Sequence, residues 1–233
     1  MVDSILMILT SHGQLGNSGR RTGSWLEEFA APYYRFVDAG FRVELASVAG
    51  GCAPIDPMSV EEAWLQSAGR RFRSDGDAQH EIANTKALEL VGAADYSAAV
   101  LVGGSGTAWD FPNNGDIKRL IERLNARGAI VAGVCHGVLG LADAIGLDGL
   151  HLLKGRRATG ISNREDELAG IAPFVPVLPE ERLRKAGAIY VAAAPFQANV
   201  ITDGNIVTGQ NPASALPMAE AIVSRLLAQS GSA

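Results

Sequence analysis

Cysteine is scarce in this 233-residue sequence: Cys52 and Cys135 are the whole supply, too few for a disulfide framework and more in keeping with a reducing compartment. Cationic excess is missing as well. A formal net charge of -5 and a pI near 5.4 argue against a general nucleic-acid or anionic-membrane surface, and favour small-molecule chemistry or protein contact. No apolar run is long enough to span a bilayer, and the opening MVDSILMILTSHG puts Asp3 where a signal peptide wants cations, so a cytoplasmic location is expected. There is no internal repeat and no low-complexity tract. His12, His80 and His151 have no second His or Cys at ligand spacing, which predicts structural or surface roles for them and no metal site. The glycines of 103–106 lack the Lys-Ser/Thr of a phosphate loop and the spacing of a dinucleotide fingerprint, so no nucleotide cofactor is expected.

What the chain does have is a core. With 47% hydrophobic and 19% charged residues, it is rich enough in apolar side chains for one α/β domain spanning 1–233. Apolar strands at 4–10, 41–48, 98–102 and 130–134 alternate with helical patterns at 22–38, 79–91 and 116–127, which predicts a mostly parallel sheet covered on both faces. In the first helix Glu27 falls opposite the apolar face and is expected in water, whereas Glu28 lies at its border beside Pro32 and is expected half-buried. The segment 49–77 is long, polar and rich in glycine and proline, the composition of a lid or insertion loop. Beyond 141, a helix is expected over 177–186, short strands at 189–193, 200–202 and 206–208, a hairpin turn at Asp203-Gly204, and a closing helix from Asn211-Pro212 to about 229.

The stretch AIVAGVCHGVLGL, 129–141, carries the chemistry. A charge-free strand runs into Gly133-Val134-Cys135-His136-Gly137, a G-x-C-x-G counterpart of the nucleophile elbow, and new apolar helical positions follow. Glycines on both sides are needed where the backbone turns so sharply, and a cysteine at a helix N-terminus is expected to favour its thiolate. In a parallel sheet this turn and the glycine-rich turn after Val102 share the carboxyl edge, where ligands bind. Backbone N–H groups of Gly104, Ser105 and His136 are therefore the expected oxyanion hole. Cys52, with no adjacent acid or base, is expected to be a loop or interface cysteine.

Four segments match a known pattern: Thr22 to Pro32, Gly103 to Pro112, Val134 to Gly137 and Thr208 to Ser214. Together they resemble the ThiJ/PfpI superfamily, of class I glutamine amidotransferase-like type, in its heat-shock chaperone and glyoxalase III branch. The resemblance implies a flavodoxin-like three-layer αβα sandwich, usually homodimeric, with Cys135 as nucleophile and Glu28 as the acid sharing its proton. It implies His136 as the neighbouring histidine, oriented by Asp166 with Glu165 and Glu167 as competing positions, and substrate contacts at Gly103 and Trp109. Ser105 stands where many members carry His. The activity implied is cofactor-free conversion of an aldehyde, methylglyoxal, to lactate. Amidase, peptidase, deglycase and isocyanide hydratase activities use the same nucleophile, and a stress holdase acting on unfolded client proteins, or a redox sensor, is the alternative of another class.

Overall fold

Ile5 to Leu9 are all fully buried, and they divide by parity: Ile5, Met7 and Leu9 join one apolar cluster while Leu6 and Ile8 join another. A strand that is apolar on both faces belongs in the middle of a parallel sheet. The computed structural model, which describes residues 4–93 and 96–230, places it there. The strands β1 (Ser4–Leu9), β2 (Arg42–Ser47), β3 (Lys86–Ala87), β4 (Ala98–Leu101) and β5 (Ile130–Val134) are parallel. A pair β6 (Arg157–Ala158) and β7 (Ile189–Tyr190) stands apart, and β8 (Val200–Asp203) and β9 (Ile206–Gly209) close the main sheet, in the order β3-β2-β1-β4-β5-β9-β8. Only β8 runs antiparallel.

Helices fill both outer layers. Against the first cluster pack α1 (Leu26–Asp38) and, in the second half of the chain, the long closing helix (Ala215–Ser230). Covering the same side, α2 (Ser67–Arg73) and α3 (Gly76–Ala83) fold back over α1. The other side carries α4 (Thr107–Asp110), α5 (Gly115–Ala126) and, with the short α6 (Asn163–Leu168) touching it, α7 (Pro179–Lys185), which makes the closing helix α8. This is the mostly parallel, doubly covered sheet that the sequence pattern predicts and the flavodoxin-like sandwich that the resemblance implies. Among the described residues no helix is long and apolar enough to cross a membrane.

Several local expectations are corrected. The first helix begins at Leu26 because the residues before it are bound elsewhere: Thr22 Oγ1 donates to Asp56, the Ser24 N–H to Pro54 O and the Trp25 N–H to Gly103 O. Glu27 is not in water. It is 6% exposed and accepts the Gly69 N–H at 3.1 Å, because α2 lies over what an isolated helix would leave bare. Glu28 is fully buried rather than half-buried. The helix expected over 79–91 ends at Ala83, where Thr85 pairs with Gly51 and 86–87 become an edge strand on β2. The hairpin turn is Gly204-Asn205, one residue later than expected, with Gly204 at φ +59 and Asp203 paired to Ile206. The acidic run 163–167 is helical, nucleated by a capping box between Ser162 and Glu165.

Candidate active site

Strand β5 delivers Cys135 to the carboxyl edge of the sheet, and there the backbone turns over. Val134 is extended at φ -127, whereas Cys135 sits at φ +56, a left-handed conformation that costs a residue with a Cβ about 1–3 kcal/mol. The elbow holds because the next turn is clamped onto β4: a Cβ on Gly137 would lie 2.3 Å from Leu101 O. Gly103 plays the matching part from the other strand. A Cβ there would meet Glu28 Oε2 at 2.2 Å and Cys135 Cβ at 2.8 Å, so glycine is what lets the acid and the thiol share one spot.

Around the sulfur the candidate residues converge. Cys135 Sγ is 3.5 Å from His136 Nδ1, and His136 Nε2 is 3.2 Å from Asp166 Oδ2, both side chains being buried. The Nε2 contact with Asp166 is an electrostatic approach rather than a hydrogen bond of ordinary geometry; a neutral ring protonated on that side turns a lone pair on Nδ1 toward the thiol. Glu28 enters from α1 with both carboxyl oxygens buried and free of hydrogen bonds of ordinary geometry. Burial pushes its pKa up to about 8, against the lowering effects of the Cys135 thiol and of His136. For His136 burial favours the neutral ring, but Asp166 outweighs it and the pKa rises.

The elbow was expected to favour thiolate; here that expectation is corrected. Burial, then the charges of Glu28 and Asp166, push the Cys135 thiol well up. The helix behind it is a six-residue 3-10 turn (Cys135–Gly140), whose dipole is too short to offset the loss of water. A proton held on Glu28 removes one of those opposing charges, so the two acids act as one coupled system. The N–H of His136 is a contact that lowers the thiol pKa, and those of Gly104 and Ser105 donate to no described residue.

Of the three acids in competition, Asp166 faces His136, Glu167 pairs on the surface with Arg164 at 3.1 Å, and Glu165 has a role of its own. Fully buried, Glu165 accepts from the Ser162 N–H and hydroxyl, Gln210 Nε2, the Phe196 N–H and Asn211 Nδ2, at 2.8 to 3.0 Å. Burial alone would raise its pKa; these donors outweigh it and hold it below the ordinary value. Glu165→Ala is expected to cost about 3–5 kcal/mol by leaving the donors unpaired. Urea unfolding of both proteins checks this. Since the folded pKa is depressed, the contribution is present above the ordinary carboxylate range and lost as pH falls below it.

These groups form the floor of a cavity of about 390 Å³, whose wall includes Trp25, Asp56, Met58, Trp64, Ser105, Leu168 and Phe196. The 49–77 segment thus contributes a wall. Asp56 caps the 3-10 turn Pro57–Val60 by accepting the Met58 N–H, a cap-plus-proline signal present in the sequence at Asp56-Pro57. Trp109 is not brought to this cavity. It stacks on His12, ring centroids 4.6 Å apart, and lines a separate hollow with Pro112 and Asn113. Cys52 is exposed, lining a groove with Phe72 and Ile82.

The model of the DJ-1/PfpI family matches residues 23–225. The chain belongs to the DJ-1/PfpI family. It is 32% identical to the glutathione-independent glyoxalase HSP31 of Saccharomyces cerevisiae over 222 residues, covering 91% of this chain and 92% of that one. Among solved structures it is similar to the Rapid Encystment Protein 24 kDa of Francisella tularensis, with a TM-score of 0.91 and 36% identity over 96% of this chain and 98% of the other. Glyoxalase III from Candida albicans superposes with a TM-score of 0.87 at 27% identity, covering 95% and 96%. Within the DJ-1/PfpI family, then, the likeness extends over almost the whole chain and includes proteins named for one reaction.

Proposed function

We propose that this DJ-1/PfpI protein is a glutathione-independent glyoxalase that converts methylglyoxal and water to lactate. The observation that carries the reading is the buried set at the cavity floor: a thiol 3.5 Å from an imidazole nitrogen, that ring 3.2 Å from a carboxylate, and a second buried carboxyl, Glu28, interacting with the same thiol. His136 Nδ1 takes the thiol proton while Asp166 steadies the imidazolium, and the sulfur attacks the aldehyde carbon. The resulting oxyanion is met by N–H groups of Gly104, Ser105 and His136. Glu28 or His136 then moves the hydrogen of the former aldehyde carbon to its neighbour through an enediolate, leaving a lactoyl thioester on Cys135. Water cleaves it, and the thiol recovers its proton.

The relatives named glutathione-independent glyoxalase support the same chemistry. A single-domain chain, homodimeric and cytoplasmic, is the form proposed for it. Purified protein given methylglyoxal without glutathione should accumulate lactate in step with aldehyde loss. Aldehyde loss with no lactate would discard the reading.

A further inference from the structure

The cavity above Cys135 is far larger than a three-carbon aldehyde requires. At about 390 Å³ it lies in the range of roughly 300–1,000 Å³ typical of sites for much larger ligands, whereas methylglyoxal presents a single methyl beyond its two carbonyls. Its polarity is divided. The floor holds Glu28, Cys135, His136 and Asp166, while Trp25, Met58, Trp64, Leu168, Ile171 and Phe196 supply an apolar wall.

At the mouth, Trp64, Leu168 and Phe196 are 48%, 51% and 48% exposed, large apolar side chains brought together from three separate parts of the chain. Trp64 is propped edge-on against Trp25, ring centroids 5.8 Å apart. Phe196 is held more expensively. Its backbone is left-handed at φ +63, and the buried carboxylate of Glu165 accepts its N–H at 2.8 Å. Strain of this kind persists only where surrounding structure enforces it, and it gathers at ligand clamps. No Lys or Arg is among the described residues lining the cavity, and Asp56 adds a third acid, so an anionic substituent would be repelled.

We propose that the substrate class is a neutral 2-oxoaldehyde with a bulky apolar substituent, aryl or branched alkyl, selected by Trp64 and Phe196. This rests on the glyoxalase reading above and specifies its substrate. The reaction is R-CO-CHO plus water to R-CH(OH)-COOH: sulfur bonds to the aldehyde carbon, that carbon is oxidised as its hydrogen passes to the neighbouring carbon, which is reduced, and water breaks the thioester. No outside oxidant or reductant is consumed.

Phenylglyoxal, which gives mandelate, is the probe. Its kcat/KM is expected to exceed that of methylglyoxal by about tenfold or more, the scale on which an added apolar group discriminates in a fitted pocket. The ratio of the two values should fall about fivefold or more in Trp64→Ala and in Phe196→Gly. Glycine takes φ +63 without strain, so the second variant keeps its fold, and the melting curves of both verify this. Turnover of methylglyoxal with phenylglyoxal no better, or a ratio unmoved in both folded variants, would overturn the proposal and leave the glyoxalase reading standing. Turnover of neither aldehyde would remove both.

Discussion

Cys135→Ala protein is expected to form lactate from methylglyoxal at least about four orders of magnitude more slowly than the parent, because every covalent step passes through that sulfur. The measurement is initial lactate formation at saturating aldehyde, with a melting curve to show that the variant is folded. It should be: alanine is smaller than the cysteine and takes the same φ +56, and what His136 Nδ1 loses at 3.5 Å is a thiol, a weak hydrogen-bonding partner. A second consequence separates loss of the nucleophile from general damage. The thiol is among the contacts that lower the Glu28 pKa, so without it the acid holds its proton to higher pH. A variant that kept even a tenth of the parental rate would mean that His136 and Glu28 activate water directly, with no thioester.

How far all this was legible depended on how far apart in the chain the deciding contacts lie. The parallel sheet, the elbow and the pairing of β8 with β9 are written locally, in the two-faced apolar run of Ile5 to Leu9, in Gly137 beside Cys135 and in the turn residues at 204–205. Glu28 was separable from Glu27 by helix face, and it is Glu28 that interacts with the Cys135 thiol. What failed was the reading of which charged groups around the site meet water. Glu27 is covered by α2, which belongs to a segment whose own sequence reads as loop, and nothing in α1 announces that cover. The thiol showed the same blindness in its chemistry: an elbow and a helix terminus predict a lowered pKa, but burial and two acids brought from α1 and α6 reverse the sign. Phe196 was out of reach because it sits in no motif and the hydrogen bond joining it to Glu165 spans 31 residues; of Glu165 the Ser162-x-x-Glu165 capping box was legible, but not the donors of Phe196, Gln210 and Asn211 that converge on it.

Glu28→Gln should separate proton transfer from binding, and its effect on rate is expected to be about 10²- to 10⁴-fold, the usual worth of a positioned acid or base. Glutamine fills the same space and can neither hold nor pass the proton, so kcat falls while KM for the aldehyde stays near the parental value. The pH dependence gives the sharper test. Burial raises the Glu28 pKa from 4.5 to about 8, so across that interval the folded protein holds a proton that the unfolded chain has released. Stability therefore falls as pH rises: the contribution is fully present below about 4.5 and is lost progressively until the folded group itself ionises near 8. The slope from this one group is at most about 1.4 kcal/mol per pH unit, against a baseline set by all other titrating groups. Glutamine removes that term, so the melting temperature of the variant, measured against the parent in steps from pH 5 to 8, should gain steadily with pH. Parallel melting curves over the whole interval would show that Glu28 is ionised at neutral pH in the folded protein, and the thiol would then have to be activated in the face of its full negative charge.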